Sequence, residues 1–406
     1  MVNTLFTKIK ISVAVILFCF LSMHSYASSG FQVVEKHSTI DKESKLGHFS
    51  AVVQVGENEL NRFTMHRLVK LGKKSKALSP RYLKGAVIFL PGSASNFDSF
   101  LLGPKGSSVA ERLALEGFEV YGYSPKTKGL DRATHSAEQL QVMQNWGIAS
   151  ALDDIDFIRK HATFRHAKKP VIGGYSLGGI LSIAAVNQNP DKYSGLAILE
   201  AALYYEAPLS ELFLPRVAAL DFALSNGVYV EDQQYPLTRT AVQLYSYYPQ
   251  AMSPFENSLT NSLFLQAVAL TPSNPPEGEA PNYTYAAGDF INGFYFLDEQ
   301  KALQLVNGFN ELEALALVRD YSAAFAGDRS FTGNLHAFTQ PVFSLQAGLG
   351  FGTHAEATLS LLDSADITRQ LYPELGHLDV IVHKDLDTTL STPLISWLKD
   401  QVSFTR

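Results

Sequence analysis

Six short apolar runs constrain the fold of this chain more than any other feature. They are residues 86–90 (AVIFL), 118–123, 170–174, 196–200, 341–346 and 366–372. In several of them apolar residues follow one another without alternation, which predicts strands covered on both faces. Helical spacing of apolar residues lies between them, as in residues 106–117 and 149–162. The alternation predicts an α/β fold with a largely parallel sheet and crossover helices.

The alternation of predicted strands and helices is preceded by two further β-rich segments and is interrupted in the middle of the chain. Residues 49–56 and 62–71 are β-rich and flank the turn-prone ENELN, which predicts a hairpin. From residue 203 to 338 we find no strand pattern, only helical stretches such as SELFLPRVAALDFAL and FNELEALALVRDYSAAF, with a Pro- and Gly-rich loop at 271–282. We therefore predict a helical insertion at 203–338 between two core parts, 28–202 and 339–406.

The first 27 residues have the features of a secretory signal peptide. Lys8 and Lys10 precede the apolar ISVAVILFCFLSM, and Ser25 and Ala27 fit the small residues before a cleavage site. We expect cleavage after Ala27 and a secreted or periplasmic protein. An uncleaved membrane anchor is the alternative, although a span needs about 20 apolar residues and this run is shorter.

Composition excludes several classes of protein. With 46% hydrophobic and 18% charged residues, the chain does not resemble a disordered or fibrous protein. Its only cysteine, Cys19, lies in the predicted signal peptide, so we expect no disulfide in the mature chain. Removing Lys8 and Lys10 changes the net charge from -6 to -8. The basic stretch LGKKSK, residues 71–76, is typical of a solvated loop, and we expect no nucleic-acid partner.

The stretch VIGGYSLGG, residues 171–179, places Ser176 in the spacing G-x-S-x-G where an apolar run meets a helical pattern. A sharp strand-to-helix turn exposes a serine oxygen, and glycines tolerate the strained backbone there. Alone the spacing is a weak signal, and a structural turn serine is the alternative. In this context Ser176 is our predicted nucleophile.

A serine nucleophile needs an oxyanion hole and a base. The N–H of Leu177 would supply one donor. We expect the second from Ser93, after Pro-Gly at the end of the run 86–90, with Ala94 close behind, although Pro-Gly also marks ordinary turns. His377 follows the last apolar run and is the predicted base. Its only serious rival is His354.

The order of these features resembles the α/β-hydrolase superfamily, and its lipase-like and esterase-like members most. The resemblance covers nearly all of the mature chain. It implies a mostly parallel eight-stranded sheet with helices on both faces, a large helical lid, and a serine, acid and histidine in chain order. We find no metal-spaced cluster and no phosphate-binding loop, and expect no cofactor.

Two positions depart from the family pattern. Pro91 stands where many members have a histidine. The family's acid usually follows the strand at 341–346, yet the loop there reads AGLGFGTHAEA and places Gly350 near the expected position.

Glu200, at the end of the preceding strand, is therefore our candidate acid, because a buried carboxylate there would orient the histidine. The alternative is a glutamate that begins a helix. Glu356 and Asp363 are lesser candidates for the acid. We expect Asp379 to cap the final helix.

These residues predict an exported serine hydrolase that cleaves carboxylic esters through an acyl-enzyme. The aromatic and aliphatic residues of the insertion favour an apolar, lipid-like acyl group, or form only the lid's own core, and the Pro-rich loop is suited to lid motion. An amidase or peptidase with the same residues is one alternative. A non-catalytic binding protein on a hydrolase scaffold is another, and the missing acid at position 350 favours it.

Overall fold

The structure is a computed structural model that describes residues 30–404 except 73–76, 80–81, 167, 233–234, 276–277 and 364. The predicted signal peptide, with Cys19, lies outside the described residues, as does most of the basic stretch 71–76. No helix in the described part is both long and apolar enough to span a bilayer.

The strands and their bounds follow in chain order. They are β1 (Phe31–Asp41), β2 (Leu46–Val55), β3 (Arg62–Lys70), β4 (Ala86–Leu90), β5 (Glu119–Ser124), β6 (Val171–Tyr175), β7 (Gly195–Leu199), β8 (Val230–Asp232), β9 (Gly288–Asp289), β10 (Gly293–Phe294), β11 (Leu312–Ala314), β12 (Val342–Ala347) and β13 (Ile367–Tyr372).

Nine of these strands form one mixed sheet in the order β1-β2-β3-β5-β4-β6-β7-β12-β13. The six strands from β5 to β13 are parallel, as the unbroken apolar runs predict. β1, β2 and β3 form an antiparallel meander that joins β5 at one side. The sheet is largely parallel as expected, but the expectation of eight strands is wrong. β1 was missed because its residues are mostly exposed and carry no apolar pattern.

Helices cover both faces of the sheet. Within the core they are Val109–Leu115, Ala137–Leu140, Ile148–His166, Leu177–Gln188, Glu356–Leu359, Asp379–Val382 and Thr392–Asp400. Alternate residues of β4 face opposite sides: Ile88 packs with the helices at 148–166 and 177–188. Val87 packs on the other side with the helices at 109–115 and 392–400. Burial on both faces is why β4 reads as an unbroken apolar run.

The connection between β7 and β12 contains the helices Leu214–Ser225, Tyr235–Tyr247, Asn261–Leu270, Glu299–Asn307 and Leu315–Phe325. It also contains two small sheets, β8 with β11 and β9 with β10, which corrects the expectation of no strands here. These strands have two or three residues, too few for an alternating pattern. The helix expected throughout residues 309–325 begins only at Leu315, because Leu312–Ala314 pairs with β8.

Candidate active site

Ser176 lies in the turn between β6 and the helix Leu177–Gln188, with φ 55° and ψ −123°. Its N–H donates to the Leu199 carbonyl at 3.0 Å, which ties the turn to β7. A Cβ at Gly178 would lie 1.9 Å from the Leu90 carbonyl oxygen, and one at Gly174 would lie 2.3 Å from the Gly178 carbonyl carbon. Only glycines fit this turn, and the strained backbone holds the serine at the end of the sheet.

His377 reaches this serine from the loop after β13. Its Nε2 lies 3.0 Å from Ser176 Oγ. The imidazole is buried and stacks on Tyr175, with ring centroids 4.9 Å apart, while Tyr283 lies at the same distance. The His377 N–H donates to the Thr284 carbonyl at 2.9 Å. The rings of Tyr175 and Tyr283 and the backbone bond to Thr284 thus fix the imidazole. The rival candidate, His354, makes no such contact with Ser176.

Glu200 meets the other side of the imidazole, with Oε1 3.3 Å from His377 Nδ1. Its side chain is fully buried. The two carboxylate oxygens accept from the N–H groups of Ala347 and Phe351, each at 2.6 Å. Glu200 lies directly after β7 with φ 51° and does not begin a helix. These two backbone donors fix the carboxylate beside the imidazole, which suits Glu200 to orient the histidine.

Gly350 explains why the acid is absent from the loop after β12. A Cβ there would lie 1.8 Å from Glu200 Oε1, so the Glu200 carboxylate occupies the space of a side chain at position 350. The other candidates lie elsewhere: Glu356 is exposed and pairs with Arg369 at 3.3 Å, and Asp363 is exposed.

The three side chains form one chain of hydrogen bonds from Glu200 through His377 to Ser176. With Nδ1–H donating to the carboxylate, Nε2 is left to accept the serine proton. The geometry can therefore activate a hydroxyl nucleophile.

The loop after β4 lies beside the serine. A Cβ at Gly92 would lie 3.3 Å from Ser176 Cβ. A bond of 3.1 Å from Ser95 N to the Gly92 carbonyl closes a turn in which Ala94 has φ 54°. The Ser93 hydroxyl donates to Glu313 Oε2 at 2.5 Å. The loop is thus placed to face a carbonyl on Ser176, and the assignment of the Ser93 and Leu177 N–H groups as donors stays a prediction.

The sequence from residue 85 to 380 matches the family model for the alpha/beta hydrolase fold. This chain belongs to the α/β hydrolase family. No curated protein matches it significantly. Among solved structures, it is similar to a candidate lipase from Sulfolobus solfataricus, with 16% identity, a TM-score of 0.65, and coverage of 91% of this chain and 99% of the other. It is also similar to a thermostable carboxyl esterase from Bacillus coagulans, with 11% identity, a TM-score of 0.50, and coverage of 92% and 99%. At these identities the likeness concerns the fold.

Asp379 has a different place in this α/β hydrolase from the one expected. It begins the one-turn helix Asp379–Val382, not the final helix, and its Oδ2 accepts from Gly376 N at 2.8 Å and Ala287 N at 2.7 Å. Burial raises the pKa of this carboxyl to about 6. Asp379 therefore ties the histidine loop to the insertion.

Sequence reasoning missed several residues that shape the α/β hydrolase site. Tyr283, Thr284, Glu313 and the bonding of Asp379 have no local signal, because their partners are distant in sequence: Glu313 lies 220 residues from Ser93. Tyr175 stood inside the quoted motif, but nothing there indicated that its ring would stack on the histidine.

Proposed function

We propose that this α/β hydrolase is a serine hydrolase that cleaves carboxylic esters through an acyl-enzyme. One observation carries the proposal: Ser176 Oγ, His377 and Glu200 form a continuous chain of contacts at 3.0 and 3.3 Å around a strained serine. This arrangement of nucleophile, base and orienting acid suits acyl transfer.

The reaction follows from the geometry. Ser176 attacks the ester carbonyl while His377 takes the hydroxyl proton, and Glu200 stabilises the imidazolium. Backbone N–H groups of Leu177 and the loop at 92–95 hold the developing oxyanion. His377 then returns the proton to the leaving alcohol, which leaves an acyl group on Ser176. Water, activated by the same imidazole, releases the carboxylic acid.

Labelling by a fluorophosphonate tests the nucleophile directly. We expect an adduct on Ser176, and loss of both labelling and p-nitrophenyl ester hydrolysis in Ser176→Ala and His377→Ala. Ser182→Ala is the matched control, because this buried serine lies inside the helix that follows Ser176 and its hydroxyl donates to the Gly178 carbonyl at 2.7 Å. A folded protein without an adduct would instead favour a binding protein on a hydrolase scaffold.

The acyl group is proposed to be apolar. A cavity of about 50 Å³ lies beside Leu177, and its wall combines apolar residues such as Ala94 and Leu181 with the charged side chains of Lys126, Asp154 and Glu313. A cavity of this size holds only a few water-sized groups. We expect kcat/KM to be highest for p-nitrophenyl esters of two to four acyl carbons and to fall for longer chains. Matched anilides test the amidase alternative, which equal rates on ester and anilide would support.

We also propose that the protein is exported. The support is the sequence of residues 1–27, with two lysines, an apolar run and small residues before the expected cut. N-terminal sequencing of the protein from its native cells should begin at Ser28. A chain that still begins at Met1 and stays in the membrane fraction would indicate an uncleaved anchor.

A further inference from the structure

The inner edge of the insertion is bonded to the loop beside the nucleophile. The Asn310 N–H donates to the Ala94 carbonyl at 2.5 Å, and Asn310 Nδ2 donates to the Ser95 carbonyl at 3.2 Å. In the other direction, Asn96 Nδ2 donates to the Gly308 carbonyl at 2.8 Å. Residues 308–310 therefore hold the far half of this loop.

A side-chain hydrogen bond connects the near half of the loop to the insertion. Ser93 Oγ donates to Oε2 of Glu313, which lies in β11 and is 4% exposed. The backbone of β11 is in turn paired with β8. Burial raises the pKa of Glu313 to about 7. A buried carboxyl is costly unless it has a hydrogen-bond partner, and the partner here is Ser93, the predicted oxyanion donor.

We propose that Glu313 is a positioning residue, which accepts the Ser93 hydroxyl and thereby fixes the peptides at 93–94 in the orientation that an oxyanion requires. The proposal rests on the proposed ester hydrolysis. Ala94 is held at φ 54°, a conformation that costs energy for a residue with a Cβ. Without the bond to Glu313, the Ser93 hydroxyl loses this acceptor, and we expect the N–H groups of residues 93 and 94 to sample orientations that no longer face the substrate.

Such a role has a distinct kinetic signature. An oxyanion hole acts more strongly on the transition state than on the bound substrate, so a misplaced loop lowers kcat and leaves KM nearly unchanged. If the role of Glu313 were merely structural, its removal would lower the amount or stability of folded protein, without a selective loss of kcat at unchanged KM.

The test is a double-mutant cycle on p-nitrophenyl butyrate with Ser93→Ala, Glu313→Ala and the double variant. We expect each single change to lower kcat about tenfold, less than the loss of a whole donor, with KM within about twofold because the bond acts on the transition state. The double variant should lose no more than either single one, because both remove the same bond. Glu313→Gln should restore most of kcat, since an amide oxygen also accepts from Ser93.

Glu311→Gln is the matched control, because Glu311 lies two residues earlier and contacts Arg239 at 3.5 Å instead of the loop. It should leave kcat unchanged. The proposal is overturned if the double variant shows the product of the two single losses, if only KM changes, or if Glu313→Ala keeps the wild-type kcat. Should Glu313→Ala not fold, Ser93→Ala and the rescue by Glu313→Gln decide the question.

Failure of the proposed ester hydrolysis would give a different result from failure of the Glu313 proposal. In that case the wild type would hydrolyse no ester, or Ser176→Ala would remain active. Amide hydrogen exchange of residues 92–96 tests, without an activity assay, whether the bond from Ser93 to Glu313 holds the loop. We expect faster exchange there in Ser93→Ala and Glu313→Ala than in the wild type. Unchanged exchange would show that this bond does not hold the loop and would overturn the proposal.

Discussion

At the scale of single residues, the proposed acid, Glu200, follows β7 and not β12, and its carboxylate occupies the space that a side chain at position 350 would fill. Gly350 leaves open the space that the Glu200 carboxylate fills, and the N–H groups around position 350 face that carboxylate. The chain therefore keeps an acid beside His377 although the loop after β12 carries none at the position that the family pattern predicts.

Glu200→Gln should lower kcat by roughly three to four orders of magnitude, because an amide no longer holds the histidine in the tautomer that accepts the serine proton. The fold should persist, since the amide has almost the same volume. Steady-state rates and the melting temperature check both parts. Glu356→Gln, an exposed change outside the site, should leave the rate as it is. A fully active Glu200→Gln enzyme would remove Glu200 from the mechanism.

Glu313 should also give the proposed reaction a pH dependence. Burial raises the pKa of its carboxyl from 4.5 to about 7, helped by Glu231 and Glu279 and opposed by Ser93 and Arg216. As pH rises through 7, a negative charge appears beside the loop that must hold an oxyanion. We expect kcat to fall above pH 7 in the wild type and to stay level in Glu313→Gln. Identical pH profiles above 7 would contradict this.

The same ionisation affects stability with a definite sign. Because the pKa is higher in the folded protein, the folded state binds more protons between pH 4.5 and 7. The contribution of Glu313 to the free energy of unfolding is therefore present at low pH and is lost as pH rises through 7. Glu313→Gln should therefore gain free energy of unfolding relative to the wild type at pH 8, but not at pH 4, in urea titrations.

At the scale of elements, the loop that carries the histidine depends on the insertion. Its backbone bonds Thr284 and Tyr285, and the Asp379 carboxylate accepts two buried N–H groups, one on each side of this contact. A Cβ at Gly376 would lie 2.7 Å from the Ala286 backbone, so the two segments touch directly.

Asp379→Ala should lower both stability and turnover. Two buried N–H groups would lose their acceptor, at a cost of about 1–3 kcal/mol each at most, and the loop would no longer place His377 against Ser176. Chemical denaturation and kcat measure the two effects. Asp387→Ala is a suitable comparison, because that carboxylate is half exposed and pairs with Arg112 far from the histidine. Equal behaviour of the two variants would contradict the assigned role.

The sequence allowed five parallel strands, β4 to β7 and β12, to be predicted from their apolar composition, because they are buried on both faces. The sixth, β13, is an edge strand that is only partly buried. The sequence did not allow β1 to be predicted, because that strand is mostly exposed, nor β8 to β11, which are too short to show a period. Ser176 and His377 could be proposed from spacing and position. Glu200 could be proposed as the acid from its place after β7, but the sequence could not show that its carboxylate occupies the space of a side chain at position 350, because the two residues meet only in the folded chain.

At the scale of the whole molecule, the insertion has an inner part that bonds the loops around Ser176 and an outer part with little burial. Residues 283–287 and 308–313 bond the two loops around Ser176. The helix Leu214–Ser225, in contrast, has no buried residue, and Phe222 is 71% exposed.

Hydrogen exchange should separate these parts. Segments with few buried contacts open at low free energy, whereas segments bonded into the core open only with larger units. We expect slow exchange at 283–287 and 308–313, at rates close to those of β6, and fast exchange at 214–225. Mass spectrometry of peptides covering these segments gives the answer, and uniform exchange across the insertion would mean that it moves as one body.

The free edge of the large sheet, β1, carries a last consequence. Residues 35–40 are exposed, Glu35, Lys36 and His37 place mixed charge there, and the register with β2 shifts between Val33 and Glu35. A kinked, charged margin is a poor template for a strand from another molecule. We therefore expect β1 to disfavour edge-to-edge pairing between two copies of this protein.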